Sequence, residues 1–279
     1  MQFQPEGSGI MLRKVWLVLT IAALLVALAV VAACGDDDDG GSEADKQEIS
    51  DTVKQVAEAG PEQAGFFVGH VTDNFTQLII GGTVEDCQSA PDECFSDPLT
   101  NVVVGGVTID GDTAKTDVAA TESDGADTTT GVNMVKEDGV WKVDGLFVPS
   151  DEVSDGVELV DLELVEFAFA FDATSDAVES GNFAFHVKNT GEQTHFVSII
   201  TIPENVDLQE IIQSEEEDIP GVEEIDFRFP YNPGDESDFV FDAPLEPGRY
   251  ALACYISDAN DPEGTPHAFK GMTAEFTVK

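Results

Sequence analysis

The chain has 279 residues, with 12 Lys+Arg against 56 Asp+Glu and a formal net charge of -44. A field of that sign repels nucleic acid and anionic lipid headgroups, which excludes both as direct partners. A hydrophobic fraction of 42% excludes the opposite extreme, an acidic disordered tail, and the length suffices for two medium domains with separate cores. Because the acidic residues are spread along the whole chain, they read as surface solvation rather than as one docking patch.

The N-terminus states a location. Arg13 and Lys14 precede an apolar run, Val15 to Ala33, that closes in Val31-Ala32-Ala33-Cys34. A positive flank, an apolar stretch and small residues before a cleavage point make an export signal. Met11 is the better initiator, with residues 1–10 an over-called start. The closing four residues resemble the lipobox of bacterial lipoproteins. That resemblance implies cleavage before Cys34 and a diacylglyceryl group on its sulfur, so residues 1–33 are a signal peptide. The protein is then held to the membrane by lipid, in the cell envelope and outside the cytoplasm. The competing reading is an uncleaved anchor, since the apolar run is just long enough to span a bilayer. An acidic linker rather than a cationic flank follows Cys34, which favours the lipoprotein. Residues 34–45, rich in Asp and Gly, have little to bury and read as a flexible tether.

Residues 46–150 read as an α+β domain. Ile49, Val53 and Val56 recur at helical spacing, and Pro61, suited to a first turn, opens a second helical stretch to about Ile80. Strands are expected at Asn101–Ile109, Thr113–Thr121, Gly131–Lys136 and Val140–Val148. Asp110-Gly111 and Asp138-Gly139 are the hairpin turns between them. Trp141 and Phe147 read as core. His70, among Phe66, Phe67, Val71 and Phe75, reads as a packed helix residue rather than a base. Asp73 and Glu85 could line a pocket, but no spacing requires it, and no catalytic set is found. Cys87 and Cys94 flank a stretch of Ser, Pro and Asp, where export predicts a disulfide; a metal site there lacks a nearby His or second pair. The runs Val107–Ala114 and Val135–Asp144 resemble the nuclear-transport-factor-like domains of many bacterial lipoproteins. Members of that superfamily range from enzymes to inert scaffolds, so the resemblance names no function.

Residues 156–279 change character. Val160, Leu162 and Leu164 alternate with Asp161 and Glu163, and then Phe167, Phe169 and Phe171 follow on the opposite parity. The switch near Val165-Glu166 reads as a β-bulge that lets one strand serve two sheets. Phe183, Phe185 and Val187 alternate within Asn182–Lys188 and turn His186 away from the apolar face. Further strands are expected at His195–Ile202, Ser237–Asp242, Arg249–Ser257 and Met272–Val278, with a turn at Pro247-Gly248 and a short helix over Asp207–Glu216. Short alternating strands with Gly/Pro turns imply an antiparallel β-sandwich.

The chemistry lies in this second half. With Cys34 assigned to lipid and Cys87 to Cys94, Cys254 stands alone, and an unpaired thiol outside the cytoplasm is a liability unless buried or metallated. Removal of the signal leaves Met134 and Met272, and Met272 directly follows Gly271 and lies five residues after His267. His195, Cys254, His267 and Met272 offer two imidazoles, a thiolate and a thioether. The sulfurs favour soft copper, imidazole suits either oxidation state, and a weak axial Met helps set the potential. Asn189-Thr-Gly191-Glu-Gln-Thr-His195, Tyr250-Ala-Leu-Ala-Cys254 and His267-Ala-Phe-Lys-Gly271-Met272 together resemble the ligand segments of the cupredoxin family.

That resemblance implies an all-β Greek-key sandwich of cupredoxin type after the α+β domain, with one mononuclear copper. Cys254, His195 and His267 would be its equatorial ligands and Met272 its long axial one. In one respect the chain departs from the family. Blue-copper proteins place the second His a few residues after the Cys, whereas here Ile256 to Pro266 intervene. The function implied is single-electron transfer with a redox protein partner. No open position for a substrate is implied, so an enzyme is not expected. The alternatives are copper capture or delivery, and a metal-free binding module of the cell envelope.

Overall fold

The computed structural model describes residues 42–279 apart from 91–93, 96–97, 124 and 215–218. The expected export signal and Cys34 lie outside the described residues, and no described helix is long and apolar enough to cross a membrane. The chain divides into two compact units between Leu146 and Phe147.

In the first unit helices precede an antiparallel sheet. Helix α1 (Glu43–Ala57) starts at Ser42, whose side chain accepts the Asp45 N–H while Asp45 reaches back to the Ser42 N–H. Asp45 also takes the Lys136 ammonium at 2.7 Å and the Trp141 indole N–H at 3.3 Å, tying this first turn to the sheet. The Ile49, Val53 and Val56 stripe is buried in the core of the unit.

The helix expected over 61–80 is broken. A 3-10 turn at Pro61–Gln63 leads into α2 (Ala64–Gly69), and α3 (Asp73–Ile80) begins afresh behind Thr72. Thr72 caps the Phe75 N–H, and Val71 leaves the helix to bridge Val143 in the sheet. β-Branched residues give up less in extended backbone than inside a helix, which favours the break at Val71-Thr72. His70 caps α2, stacks on Phe66 at 3.9 Å and holds its Nδ1 2.8 Å from the Phe66 carbonyl, a structural placement. Helix α4 (Val84–Ser89) carries Cys87, because Thr83 and Asp86 form a second capping box. Asp73 accepts the Val84 N–H at 2.8 Å, and a disulfide joins Cys87 to Cys94.

The sheet runs β1 (Thr100–Val104), β3 (Thr113–Thr121), β4 (Asp127–Glu137), β5 (Val140–Phe147), with β2 (Thr108–Asp110) also on β3. The single strand expected at 101–109 is two. Val104 faces Val118 and Thr108 faces Lys115, so Gly105–Val107 carries one residue more than the strand opposite, a bulge. The first hairpin turns on Gly111-Asp112, one residue later than expected, since Asp110 still pairs with Thr113. The second turns on Asp138-Gly139, both at positive φ (52° and 82°). Trp141 is 1% exposed, whereas Phe147 is only half-buried. An apolar pocket of about 150 Å³, partly open, is lined by Val53, Phe67, Phe75, Leu99 and Val132 among others; His70, Asp73 and Glu85 are not in its lining.

The second unit holds two four-stranded sheets. One orders β11 (Glu236–Val240), β8 (Phe183–Asn189), β6 (Glu158–Val165) and β7 (Ala168–Ala170); the other orders β10 (Glu224–Tyr231), β9 (His195–Ile202), β12 (Gly248–Ala253) and β13 (Thr273–Val278). The first sheet is mixed rather than antiparallel, because β6 and β8 run parallel. A short helix α5 (Asp176–Ser180) lies in the crossover between β7 and β8.

The phase switch after Leu164 is a hairpin, not a bulge. Leu164 faces Phe169 and Val165 faces Ala168, so antiparallel pairing sets even and odd residues on one face. The turn is Glu166-Phe167, with Phe167 at φ 62°. One core draws Leu162, Phe183, Phe185 and Phe239 from the mixed sheet and Val197, Ile199, Leu252 and Phe276 from the other. Each such buried side chain contributes roughly 1.5–3 kcal/mol. A second cluster sets Ile200, Ile202, Ala251 and Ala253 against Leu208, Ile211 and Ile212 of α6 (Leu208–Gln213). Strand β9 is therefore covered on both faces, which accounts for its nearly continuous apolar run. His186 is half-exposed and pairs with Asp238 across the strands at 2.8 Å.

Candidate metal centre

His195 is the first residue of β9, and the turn that delivers it is fixed from two sides. The buried Asn189 amide donates to the Gln193 and Tyr231 carbonyls at 2.8 Å each and accepts the Gly191 N–H at 2.9 Å. From the β6–β7 turn, the Glu166 carboxylate accepts the N–H groups of Glu192 and, at 2.9 Å, Gln193. A Cβ on residue 191 would come within 2.7 Å of that carboxylate, so any side chain there would push Glu166 off the turn.

Cys254 follows β12 directly. Its N–H donates to the Met272 carbonyl at 3.3 Å and its carbonyl accepts the Ala268 N–H at 2.7 Å. His267 opens a 3-10 turn (His267–Lys270), and Gly271, at φ 109°, swings the chain into β13. The Met272 N–H returns to the His267 carbonyl at 3.0 Å. Main-chain hydrogen bonds thus lace Cys254, His267 and Met272 together.

Three of the four expected ligands converge. The Nδ1 atoms of His195 and His267 are 3.1 Å apart, and Cys254 Sγ lies 4.0 Å and 3.7 Å from them. A metal ion about 2.0 Å from nitrogen and about 2.3 Å from sulfur holds such donors roughly 3.3 to 3.7 Å apart. The observed separations bracket that spacing, and the cluster could hold a metal ion. All three residues are 0% exposed, as is Met272, which shares the core with Cys254. The Phe196 N–H points at Sγ from 3.5 Å, and the Phe167 ring stands edge-on to His267 at 5.2 Å. No carboxylate joins the cluster among the described residues.

Burial sets the protonation states. It pulls His195 down to about 4, with neighbouring His267 adding to the effect, and it lowers His267 as well. Burial also pushes the Cys254 thiol up to about 11, against the opposing pull of the Phe196 and Ile256 N–H groups. Both imidazoles are therefore neutral at pH 7, the form that ligates, whereas the thiol keeps its proton until a cation displaces it. Neither Nε2 has a hydrogen-bond partner among the described residues. Two buried imidazoles with an unpartnered Nε2 are costly in an apolar core.

The segment between Cys254 and His267 folds back on itself. His267 N–H donates to the Ile256 carbonyl at 2.8 Å, Ser257 bridges Pro266, and Asp258 N–H donates to the Thr265 carbonyl at 3.0 Å. Bonds from Asp261 N–H to the Asp258 carbonyl and from Gly264 N–H to the Asp261 carbonyl close its tip. The excursion leaves and rejoins the fold at one point, so His267 reaches Cys254 despite the residues between.

Sequence patterns assign no supporting role to Glu166, Asn189, Gln193 or Asp258, although Asn189 and Gln193 lie in the segment leading to His195. Asn189 carried the clearest signal, an Asn two residues before a Gly in a turn. No family model matches the chain, and no curated protein matches it.

Proposed function

We propose that the chain is an exported lipoprotein whose second unit is a cupredoxin-like module that holds one copper ion and passes single electrons to a redox protein. The observation that carries this reading is the meeting of one thiol and two neutral imidazoles, from two strands and a helical turn, in a site closed to water. Cys254, His195 and His267 would hold the ion, with the thioether of the buried Met272 as a further, weaker donor. Copper so held supplies a one-electron couple, because thiolate, imidazole and thioether together suit both Cu(I) and Cu(II). The protein's part is to keep the donors from rearranging as charge changes. His195 is braced by Asn189, and Cys254 and His267 by main-chain bonds to Ala268, Ile256 and Met272. The lipobox-like sequence at Cys34 and the acidic tether behind it support a place at the outer side of a membrane.

Titration of the full chain with Cu(II) tests this. A thiolate-to-copper absorption band that saturates at one equivalent, vanishes in Cys254→Ser and accompanies reversible one-electron voltammetry is expected. Uptake of copper that is the same in Cys254→Ser would overturn it.

A further inference from the structure

Gln193 lies two residues before His195, and Lys270 three residues after His267. Between them stands Asp258, carried by the excursion and only 7% exposed. Gln193 Nε2 donates to Asp258 Oδ1 at 3.0 Å, and Gln193 Oε1 accepts the Ala259 N–H at 2.7 Å. The other Asp258 oxygen takes the Lys270 ammonium at 2.5 Å, and Asp261 takes the same ammonium at 2.8 Å. Asp258 Oδ1 also accepts the Asn260 N–H at 2.8 Å, which fixes the carboxylate on its own loop.

We propose that Gln193 and Asp258 form a clasp between the two imidazole-bearing segments, so that the stretch separating Cys254 from His267 is a positioning device for the metal centre. This rests on the copper reading above. His195 and His267 come from different parts of the fold, and their Nδ1 atoms must keep one separation for both to bond one ion. Asp258 touches the segment leading into His195 through Gln193 and the turn bearing His267 through Lys270. Gln193 contributes both an acceptor and a donor to the excursion, a two-point grip that fixes orientation as well as distance. Neither residue touches the ion; both act through the imidazoles.

The test compares the full chain with Gln193→Ala, Asp258→Ala, the double variant and Asp258→Asn, each loaded with Cu(II) alone. The readouts are the position of the thiolate-to-copper band, the copper hyperfine splitting and the rate of copper loss to excess chelator. Partners that orient metal ligands are worth on the order of 10–100-fold in metal affinity. Gln193→Ala and Asp258→Ala are each expected to shift the band and speed copper loss by about tenfold. The double variant should do little more than either single one, because one clasp is broken once. Asp258→Asn keeps an acceptor for Gln193 and Asn260 but turns an amide NH2 toward the Lys270 ammonium, so it too should shift the band. Gln193→Ala leaves the Asp258–Lys270 pair intact and so tests the clasp without opening that ion pair. Wild-type spectra and loss rates in both alanine variants would overturn the clasp while leaving the copper site standing. A wild-type chain that takes up no copper would overturn both.

Discussion

Tyr231 stands opposite His195 where β10 pairs with β9, and its carbonyl accepts the Asn189 amide at 2.8 Å. The first imidazole is thereby held by a neighbouring strand and by the turn that precedes it, through one shared residue. Tyr231 is itself 0% exposed, and its hydroxyl accepts from Ser237 at 3.2 Å. Placement of His195 thus draws on both sheets of the unit, since Ser237 belongs to β11 in the mixed sheet.

Asn189→Ala removes three hydrogen bonds and strands the Tyr231 and Gln193 carbonyls. Unsatisfied buried groups cost about 1–3 kcal/mol each, so a loss of about 3 kcal/mol is expected in urea unfolding of the metal-free chain. A change below about 0.5 kcal/mol would mean that water or a shifted backbone replaces the amide.

Acid should weaken the metal-free second unit in a definite window. Unfolded, the His195 imidazole titrates near 6.5; folded, it resists protonation until about 4. Between those values the unfolded chain binds more protons, so stability is full above 6.5, falls as the pH drops to 4, and loses nothing more from this group below that. His267, lowered in the same direction, adds to the slope. Asp261 acts lower, because its carboxylate, held at about 2 by Lys270, gives up its stabilisation only below the ordinary 3.8. Calorimetry from pH 7 to 4 should show Tm declining, with a shallower decline in His195→Gln.

Copper uptake should release one proton per ion at pH 7. The thiol, pushed up to about 11, must lose its proton to ligate, whereas the imidazoles are already neutral. Titration calorimetry in two buffers of different ionisation enthalpy measures the number. Zero would exclude thiolate ligation, and a value near three would mean that the imidazoles start charged.

In the first unit, Cys87→Ser with Cys94→Ser opens a short loop. Chain-entropy arguments give a loss of about 2 kcal/mol, small because few residues are enclosed. Denaturant unfolding followed through the near-ultraviolet signal of buried Trp141 checks it, and equal stability of oxidised and reduced chains would contradict it.

The chemistry of the site was the most legible part of the chain, because His, Cys and Met number four each and their side chains declare a ligand set. What supports them was not. Gln193 and Asp258 are ordinary polar residues with no periodicity to mark them. Strand β10 escaped notice because its register shifts after Glu224 and again after Arg228, and its middle residues are only half-buried, which erases a period of two. Parity alone could not separate a bulge from the Glu166-Phe167 hairpin, since either one reverses the phase of the apolar residues. The break at Val71-Thr72 was hidden because the apolar residues on both sides keep helical spacing, and only the contact with Val143 reveals it.

Ile256 and His267 are hydrogen-bonded neighbours at the neck of the excursion. The number of residues strung between two candidate ligands is then a poor yardstick for clusters of this kind. Chains that diverge by lengthening or trimming such a stalk would look unrelated to a pattern with a fixed gap, while their ligand atoms stayed in register. A pattern that lets the gap float, and asks instead for a Gly-Met pair soon after the second imidazole, would gather them.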